Sequence, residues 1–218
     1  MTQPGKWRWL YVLSLLLAMM VNSAHATITP EVDKVLQQGF PQQPEALANT
    51  TTALFAEYTR KKTVASLIFY SYGLLRQAKS FSTVNDFIHA AEYAKTGLFY
   101  LDEAVDANED NLRVRYLRAR IDAYLSADMG RCVVTLQDTE QLLAKSQLFD
   151  NDLVNHIRYM RYRALMNCNE HHRANLLLEK IKVQGTLAAK YLTLDSTSAP
   201  DWNMHEVMQI VMPLLKGE

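Results

Sequence analysis

The chain has 218 residues, a length that suits one compact domain or one short helical array. Its 23 basic and 23 acidic residues balance, so no long-range field would gather nucleic acid, and a nucleic-acid partner is not expected. Hydrophobic residues make up 49%, which is typical of a chain that folds, whereas only 7 glycines and 6 prolines are present. This scarcity of turn-forming residues argues against an all-β protein.

Residues 1–26 have the three parts of a secretory signal peptide: a basic start, an apolar run from Leu10 to Val21, and small residues at Ala24 and Ala26. We therefore expect cleavage after Ala26, leaving residues 27–218 as a single helical domain in a bacterial periplasm. The apolar run is short for a membrane span, and an uncleaved N-terminal anchor is the alternative. No later apolar run is long enough to predict a span in the mature chain.

From Pro30 onward the pattern predicts helices joined by short breaks, because apolar residues recur at three- and four-residue steps. Short connections make successive helices antiparallel neighbours. The predicted fold class is therefore all-α, with antiparallel helical hairpins stacked as an α-solenoid or as a compact helical bundle. The predicted helices run over 30–38, 44–62, 63–79, from a cap at Ser82 or Thr83 to about 105, 111–127, 131–145, 150–167, 170–183 and 203–215, with a short apolar piece at 187–194.

One stretch carries a resemblance to a known repeat. Gly97, Leu101 and Ala104 follow the spacing of small and apolar residues in the second helix of a tetratricopeptide (TPR) repeat, and residues 108–111 stand at its inter-repeat turn. Residues 90–125 thus resemble a TPR-like helical repeat protein. The resemblance implies a TPR-like α-solenoid and, by analogy, a surface that binds a protein or a peptide.

The mature chain has two cysteines, Cys132 and Cys168. In an oxidising compartment an even number of cysteines suggests a disulfide. Cys132 stands near the start of the sixth predicted helix and Cys168 near the end of the seventh. An antiparallel pairing of these helices brings both cysteines to the same end, within reach of a bond. Two buried free thiols are the alternative.

Arginines and tyrosines interleave on the fifth and seventh predicted helices. Arginine forks and tyrosine rings suit the binding of a carboxylate, a phosphate or a peptide end. In the alternative interpretation the tyrosines pack and the arginines pair with Asp102, Glu103, Asp106 or Asp122. The candidate binding residues are Arg113, Tyr116, Arg120, Tyr159 and Arg163.

The segment from Asn167 to His172 is the one cluster with the donors that zinc or copper would use. Adjacent His171 and His172 would point about 100° apart on a helix, and a disulfide would occupy Cys168. A polar turn between helices is the preferred interpretation, and neither a metal nor a cofactor is predicted. The sequence contains no Gly-x-Ser-x-Gly or His-Glu-x-x-His motif, so enzyme activity is not expected.

Together these features predict an exported adaptor or accessory factor that binds a protein or peptide partner in the cell envelope. A periplasmic protein that binds a small molecule or a metal ion is the first alternative. A cell-envelope hydrolase is the second.

Overall fold

The structure, a computed structural model, describes residues 29–183, 190–193 and 199–217. The predicted signal peptide and half of the predicted apolar piece at 187–194 lie outside these residues. The described part is all-α, with antiparallel helical hairpins packed against one another and no strand. Its helices are α1 (Pro30–Gln38), α2 (Pro44–Lys61), α3 (Val64–Thr83), α4 (Phe87–Asp106), α5 (Leu112–Asp122), α6 (Cys132–Ala144), α7 (Asn151–Asn167) and α8 (His171–Val183).

A last helix, α9, has a composite form. It begins as Met204–Glu206, continues through a π-helical turn at Val207–Val211 and ends as Met212–Lys216. Short 3₁₀ turns cover Ala127–Met129, Ser146–Leu148 and Lys190–Thr193.

The helices form two rows with α5 between them. In the first row α3 is central and packs against α2 and α4, while α1 lies against α2 and α3. In the second row α6, α7 and α8 pack in chain order. Helix α5 contacts helices of both rows, and α9 returns to the seam, where it contacts α3, α5 and α7. The two central helices of the seam, α5 and α9, therefore determine how the rows fit together.

Most predicted helix boundaries are confirmed, and the α3–α4 turn is the main exception. Helix α3 continues past Lys79 because the ring of Phe81 packs on the rings of His89 and Tyr93 of α4. The chain then reverses through Asn85, whose φ of 61° lies in the left-handed region that asparagine tolerates.

The predicted cap of α4 at Ser82 or Thr83 is wrong, because both residues are still inside α3. The N-cap is Asp86, whose carboxylate accepts a hydrogen bond from the backbone N–H of His89. The predicted end of α5 near residue 127 is also wrong. The helix ends at Asp122, after which the chain continues in tighter turns.

Close contacts between small residues set the spacing of the first row. A Cβ added at Gly97 of α4 would lie 2.9 Å from Cγ of Leu75 and 3.1 Å from the carbonyl oxygen of Ser71, both on α3. The Ser71 hydroxyl donates a hydrogen bond of 2.7 Å to the carbonyl oxygen of Gly97. On the other side of α3, a Cβ at Gly73 would lie 2.6 Å from Oγ1 of Thr51 in α2. Helix α3 is thus packed too closely against both neighbours to admit larger side chains at these positions.

Replacing Gly97 by valine should destabilise the fold by about 1–3 kcal/mol, because the added atoms overlap with Leu75 and with the α3 backbone. The matched control is Ala91→Val, which places the same side chain at an exposed position of the same helix. Urea denaturation of both variants measures the difference. Equal free energies of unfolding for the two variants would contradict the close contact.

The structure confirms the predicted packing of α6 against α7 and the predicted disulfide between them. Cys132 and Cys168 are joined, with their α-carbons 5.5 Å apart. Cys132 is the first residue of α6 and Cys168 follows the last residue of α7, so the bond closes the open end of an antiparallel hairpin. No free cysteine is present among the described residues.

Loss of this disulfide should lower the free energy of unfolding by as much as about 4 kcal/mol, the loop entropy for a separation of 36 residues. The measurement is chemical denaturation of the wild type with and without a reductant, beside the Cys132→Ala/Cys168→Ala variant. The reductant should move the wild-type midpoint to that of the variant and leave the variant unchanged. If the reductant does not change the denaturation midpoint of the wild type, the disulfide does not contribute to its stability.

Candidate functional site

Helix α5 is buried although it is rich in charge. Arg115, Arg118, Arg120 and Asp122 all lie in the interior. A buried charge is costly unless another charge or a set of hydrogen bonds compensates it. Each of these four side chains meets a partner on another element.

A first cluster joins α5 to α4 and α6. The buried carboxylate of Asp138 in α6 accepts hydrogen bonds from Arg115 at 2.9 Å and from Arg118 at 2.8 and 2.9 Å. Arg118 also reaches Asp102 of α4 at 3.1 Å, and Arg131 joins Asp102 at 2.6 Å. The predicted alternative, in which arginines of this helix pair with acidic residues such as Asp102, is therefore realised at Arg118.

The carboxylate of Asp122 belongs to the same cluster. Arg131, just before α6, donates to it at 3.0 Å. Burial raises the pKa of Asp122 to about 7, against the opposing effect of Arg131. One of its carboxylate oxygens, Oδ1, is buried without a hydrogen bond. Asp122 is therefore less completely hydrogen-bonded than Asp138, both of whose carboxylate oxygens accept hydrogen bonds.

A second cluster joins α5 and α7 to α9 through Glu206, which is fully buried. Its Oε1 atom accepts hydrogen bonds of 2.7 Å from Nε of Arg120 and 2.9 Å from the hydroxyl of Tyr116. Nδ1 of His156 in α7 lies 3.1 Å from the same atom. The other oxygen, Oε2, accepts from the backbone N–H of Asn203 in a capping box that starts α9. Both oxygens of this carboxylate are thus satisfied.

The segment before α9 is held by the same arginine. Arg120 donates from Nη2 to the carbonyl oxygen of Pro200 at 2.7 Å, and its guanidinium lies 3.6 Å from the ring centre of Trp202. The Trp202 ring stacks on Phe69 of α3 with a centroid distance of 5.2 Å. Arg120 therefore pairs with the Glu206 carboxylate and also holds the segment that precedes α9 in place.

The charges of this cluster stabilise one another. Burial alone would raise the pKa of Glu206, but Arg120 and His156 outweigh it and hold the pKa well below the ordinary value of 4.5. Burial would lower the pKa of Arg120, and Glu206 reverses that effect. Burial and the nearby Glu206 carboxylate both raise the pKa of Tyr116, which keeps its hydroxyl proton available for the hydrogen bond. The cluster is therefore built around the ion pair of Glu206 and Arg120, in a part of the interior closed to solvent.

Replacing Glu206 by glutamine should destabilise the fold by about 3–5 kcal/mol at neutral pH, because it leaves the buried charge of Arg120 unpaired. The pKa of Glu206 is lower in the folded than in the unfolded chain, so its stabilisation is complete above about pH 4.5 and is lost as the pH falls further. The difference between wild type and variant should therefore shrink below that pH. Denaturation curves between pH 7 and pH 3 measure it.

The control for this experiment is Glu103→Gln, which neutralises an exposed carboxylate of α4. It should cost little at any pH. A difference for Glu206→Gln that stays constant across the pH range would contradict the assigned ionisation.

The other residues of the predicted binding stripe lie in different places. Tyr159 is buried and stacks on Tyr162 and Tyr191, with centroid distances of 6.0 and 5.9 Å. Arg163 donates from Nε to the carbonyl oxygen of Ala123 at 2.7 Å, just after the end of α5. The structure therefore brings Tyr116 and Arg120 together in the interior, around Glu206, and does not bring the five predicted residues into one exposed stripe.

Arg113 is the exception, because it lies at an open groove between the start of α5, the 3₁₀ turn before α7, and α9. This α5–α9 groove has a volume of about 730 Å³. Apolar side chains contribute much of its wall, and Leu148 and Met208 are 63% and 58% exposed. The groove is lined by Asp110, Asn111, Leu112, Arg113, Leu148, Phe149, Met208, Gln209 and Pro213.

The guanidinium of Arg113 is oriented by the backbone of α9. Its Nε donates a hydrogen bond of 3.0 Å to the carbonyl oxygen of Gln209, which lies in the π-helical turn. The Gln209 side chain is itself fixed, because its Nε2 donates to the Asp150 carboxylate at 2.6 Å. Among the described residues no carboxylate lies within 4 Å of Arg113. π-helical turns are frequent at functional sites, and this one forms a wall of the groove.

The residues of α9 and α7 that organise the second cluster were not predicted as site residues. Glu206 stands 86 positions from Arg120, and His156 stands 40 positions from Tyr116. The local signal is the spacing of a capping box, in which an asparagine precedes Glu206 by three positions. That signal predicts a helix start, and it contains no information about a partner so distant in the chain.

The segment from Asn167 to His172 forms no metal site with the side chains that the structure describes. Cys168 is in the disulfide, and His171 and His172 are exposed on α8. Within residues 29–183, 190–193 and 199–217 no group of three or more histidine, cysteine or acidic side chains could hold a metal ion. None of the helices in that part of the chain combines the length and the apolarity that a membrane crossing requires.

Comparisons with protein-family models, with curated proteins and with solved structures find no match to this chain.

Proposed function

We propose that this protein is an exported adaptor that binds a peptide or a protein segment in the α5–α9 groove. The observation that carries the proposal is the groove itself, which combines exposed apolar side chains with a cation that has no carboxylate partner in the described part of the chain. Concave, mainly apolar sites with a few fixed polar groups are the usual form of ligand sites in proteins.

The composition of the groove supports a peptide as the ligand. Met208 is flexible and polarisable, and methionine is common where a surface must fit different apolar side chains. Leu148 and Phe149, in the connection before α7, line the same groove. Arg113 offers N–H donors for a backbone carbonyl oxygen or for a charged end. These groups match a ligand that has both apolar side chains and polar atoms.

Two further observations support an envelope location. The sequence of residues 1–26 is typical of a cleavable signal peptide, and the Cys132–Cys168 disulfide suits an oxidising compartment such as the periplasm. The TPR-like character of residues 90–125 belongs to the same proposal. It is supported by Gly97, Leu101 and Ala104, which are among the buried residues of α4, with Gly97 at the close contact with α3.

Replacing Met208 by aspartate should abolish partner capture, because it places a charge on the apolar wall of the groove. Since Met208 is exposed, the melting temperature should change little. The measurement is a crosslinking pull-down from the native envelope fraction with the mature chain, residues 27–218. N-terminal sequencing of the native protein from the same fraction should begin at Thr27.

The matched control is Ile88→Asp, which introduces the same charge at an exposed apolar position near the start of α4. That position is about 27 Å along the helix from the end of α4 that leads to the groove. It should capture the partner as the wild type does. Equal capture by both variants would show that the α5–α9 groove is not the binding site.

A further inference from the structure

We infer that the α5–α9 groove recognises the free C-terminus of a peptide, with the terminal carboxylate on Arg113 and the last apolar side chain against Leu148, Phe149 and Met208. This inference rests on the proposed function, because it names the ligand of the same groove. It starts from the guanidinium of Arg113 and from the residues that surround it.

The orientation of Arg113 suits a carboxylate. Its Nε is engaged by the carbonyl oxygen of Gln209 at 3.0 Å, which leaves the two Nη groups without an acceptor in the described part of the chain. The Nη groups of a guanidinium form a planar pair that matches the two oxygens of a carboxylate. The hydrogen bond to the π-helical turn also limits the rotation of the side chain. A carboxylate therefore meets a donor pair that is already positioned.

The start of α5 adds to the positive potential at the same place. Arg113 is in the first turn of this 11-residue helix, and Asn111 caps it by accepting the backbone N–H groups of Arg113 and Val114. The positive end of the helix dipole thus lies at the groove, where it favours a negative charge.

One acidic residue of the groove further restricts the kind of ligand that fits. Asp110 is exposed, and it lines the groove beside Arg113. Its charge repels every carboxylate in the groove, so a ligand with several acidic residues is disfavoured more than one whose single carboxylate is held by Arg113. A C-terminal residue with an apolar side chain supplies a single carboxylate and apolar atoms on one amino acid. The volume of about 730 Å³ also suits the end of a peptide rather than a long helix.

The test uses pairs of fluorescent ten-residue peptides, Gly-Ser repeats that end in Phe-Leu, with either a free carboxylate or a C-terminal amide. Fluorescence anisotropy with the mature protein should show binding of the free acid that is about tenfold or more tighter than that of the amide, as expected for hydrogen bonds to a charged group. Arg113→Gln should remove this difference, and Arg113→Lys should keep part of it. Arg60→Gln, at an exposed position of α2, should leave it unchanged.

The other outcomes overturn the inference in distinguishable ways. Equal binding of acid and amide, with both weakened by Met208→Asp, would show that the groove binds an internal peptide segment, so the proposed function would stand. Binding of palmitate but of neither peptide would assign the carboxylate site to a lipid. If neither the peptides nor palmitate bind while Met208→Asp still abolishes partner capture, the inference about the peptide C-terminus is wrong and the proposed function stands. Capture that is insensitive to Met208→Asp removes the proposed function itself.

Discussion

Burial of the charged helix α5 is the constraint on which the rest of the structure depends. Three arginines and an aspartate of this helix lie in the interior, where an uncompensated charge would cost several kcal/mol. Each must be met by a carboxylate or an arginine from another element, and these partners come from α4, α6, α9 and the turn before α6. Charge compensation therefore ties both rows of helices and the C-terminal segment to a single central helix. Apolar packing alone would permit several alignments of the rows, whereas a paired buried charge permits few.

The same constraint creates the candidate site. Glu206 draws the start of α9 into the seam, because its carboxylate is the counter-charge of Arg120. Once α9 is anchored there, its π-helical turn presents the carbonyl oxygen of Gln209 to Arg113, and Met208 forms one wall of the groove. The buried ion pair and the open groove are thus neighbouring parts of one helix, and disturbance of the first is expected to misplace the second. Two arginines of the same helix thus have different surroundings, since Arg120 is paired in the interior and Arg113 lines the groove.

Much of the architecture could be predicted because its determinants are local. Apolar periodicity placed the helices, Asp150 and Asn203 were expected at helix starts and act as caps, and the position of the cysteines in their helices predicted the disulfide. The error at the α3–α4 turn has a tertiary cause, since the ring of Phe81 keeps α3 helical by packing on α4. The five residues of the predicted arginine and tyrosine stripe lie in different places for a similar reason. Helical spacing shows which side chains share a face, but it does not show whether another helix covers that face.

The sequence by itself determined the all-α class, the order and approximate extent of the helices, the disulfide, and the presence of a signal-like segment. These properties depend on residues close in the chain or on a count of cysteines. Only the tertiary structure decided that Arg120 and Tyr116 face Glu206 in the interior while Arg113 lines an open groove. The physical reason is that the free energy of a charged side chain depends on what surrounds it. For α5 those surroundings come from residues up to 96 positions away, which no local pattern specifies.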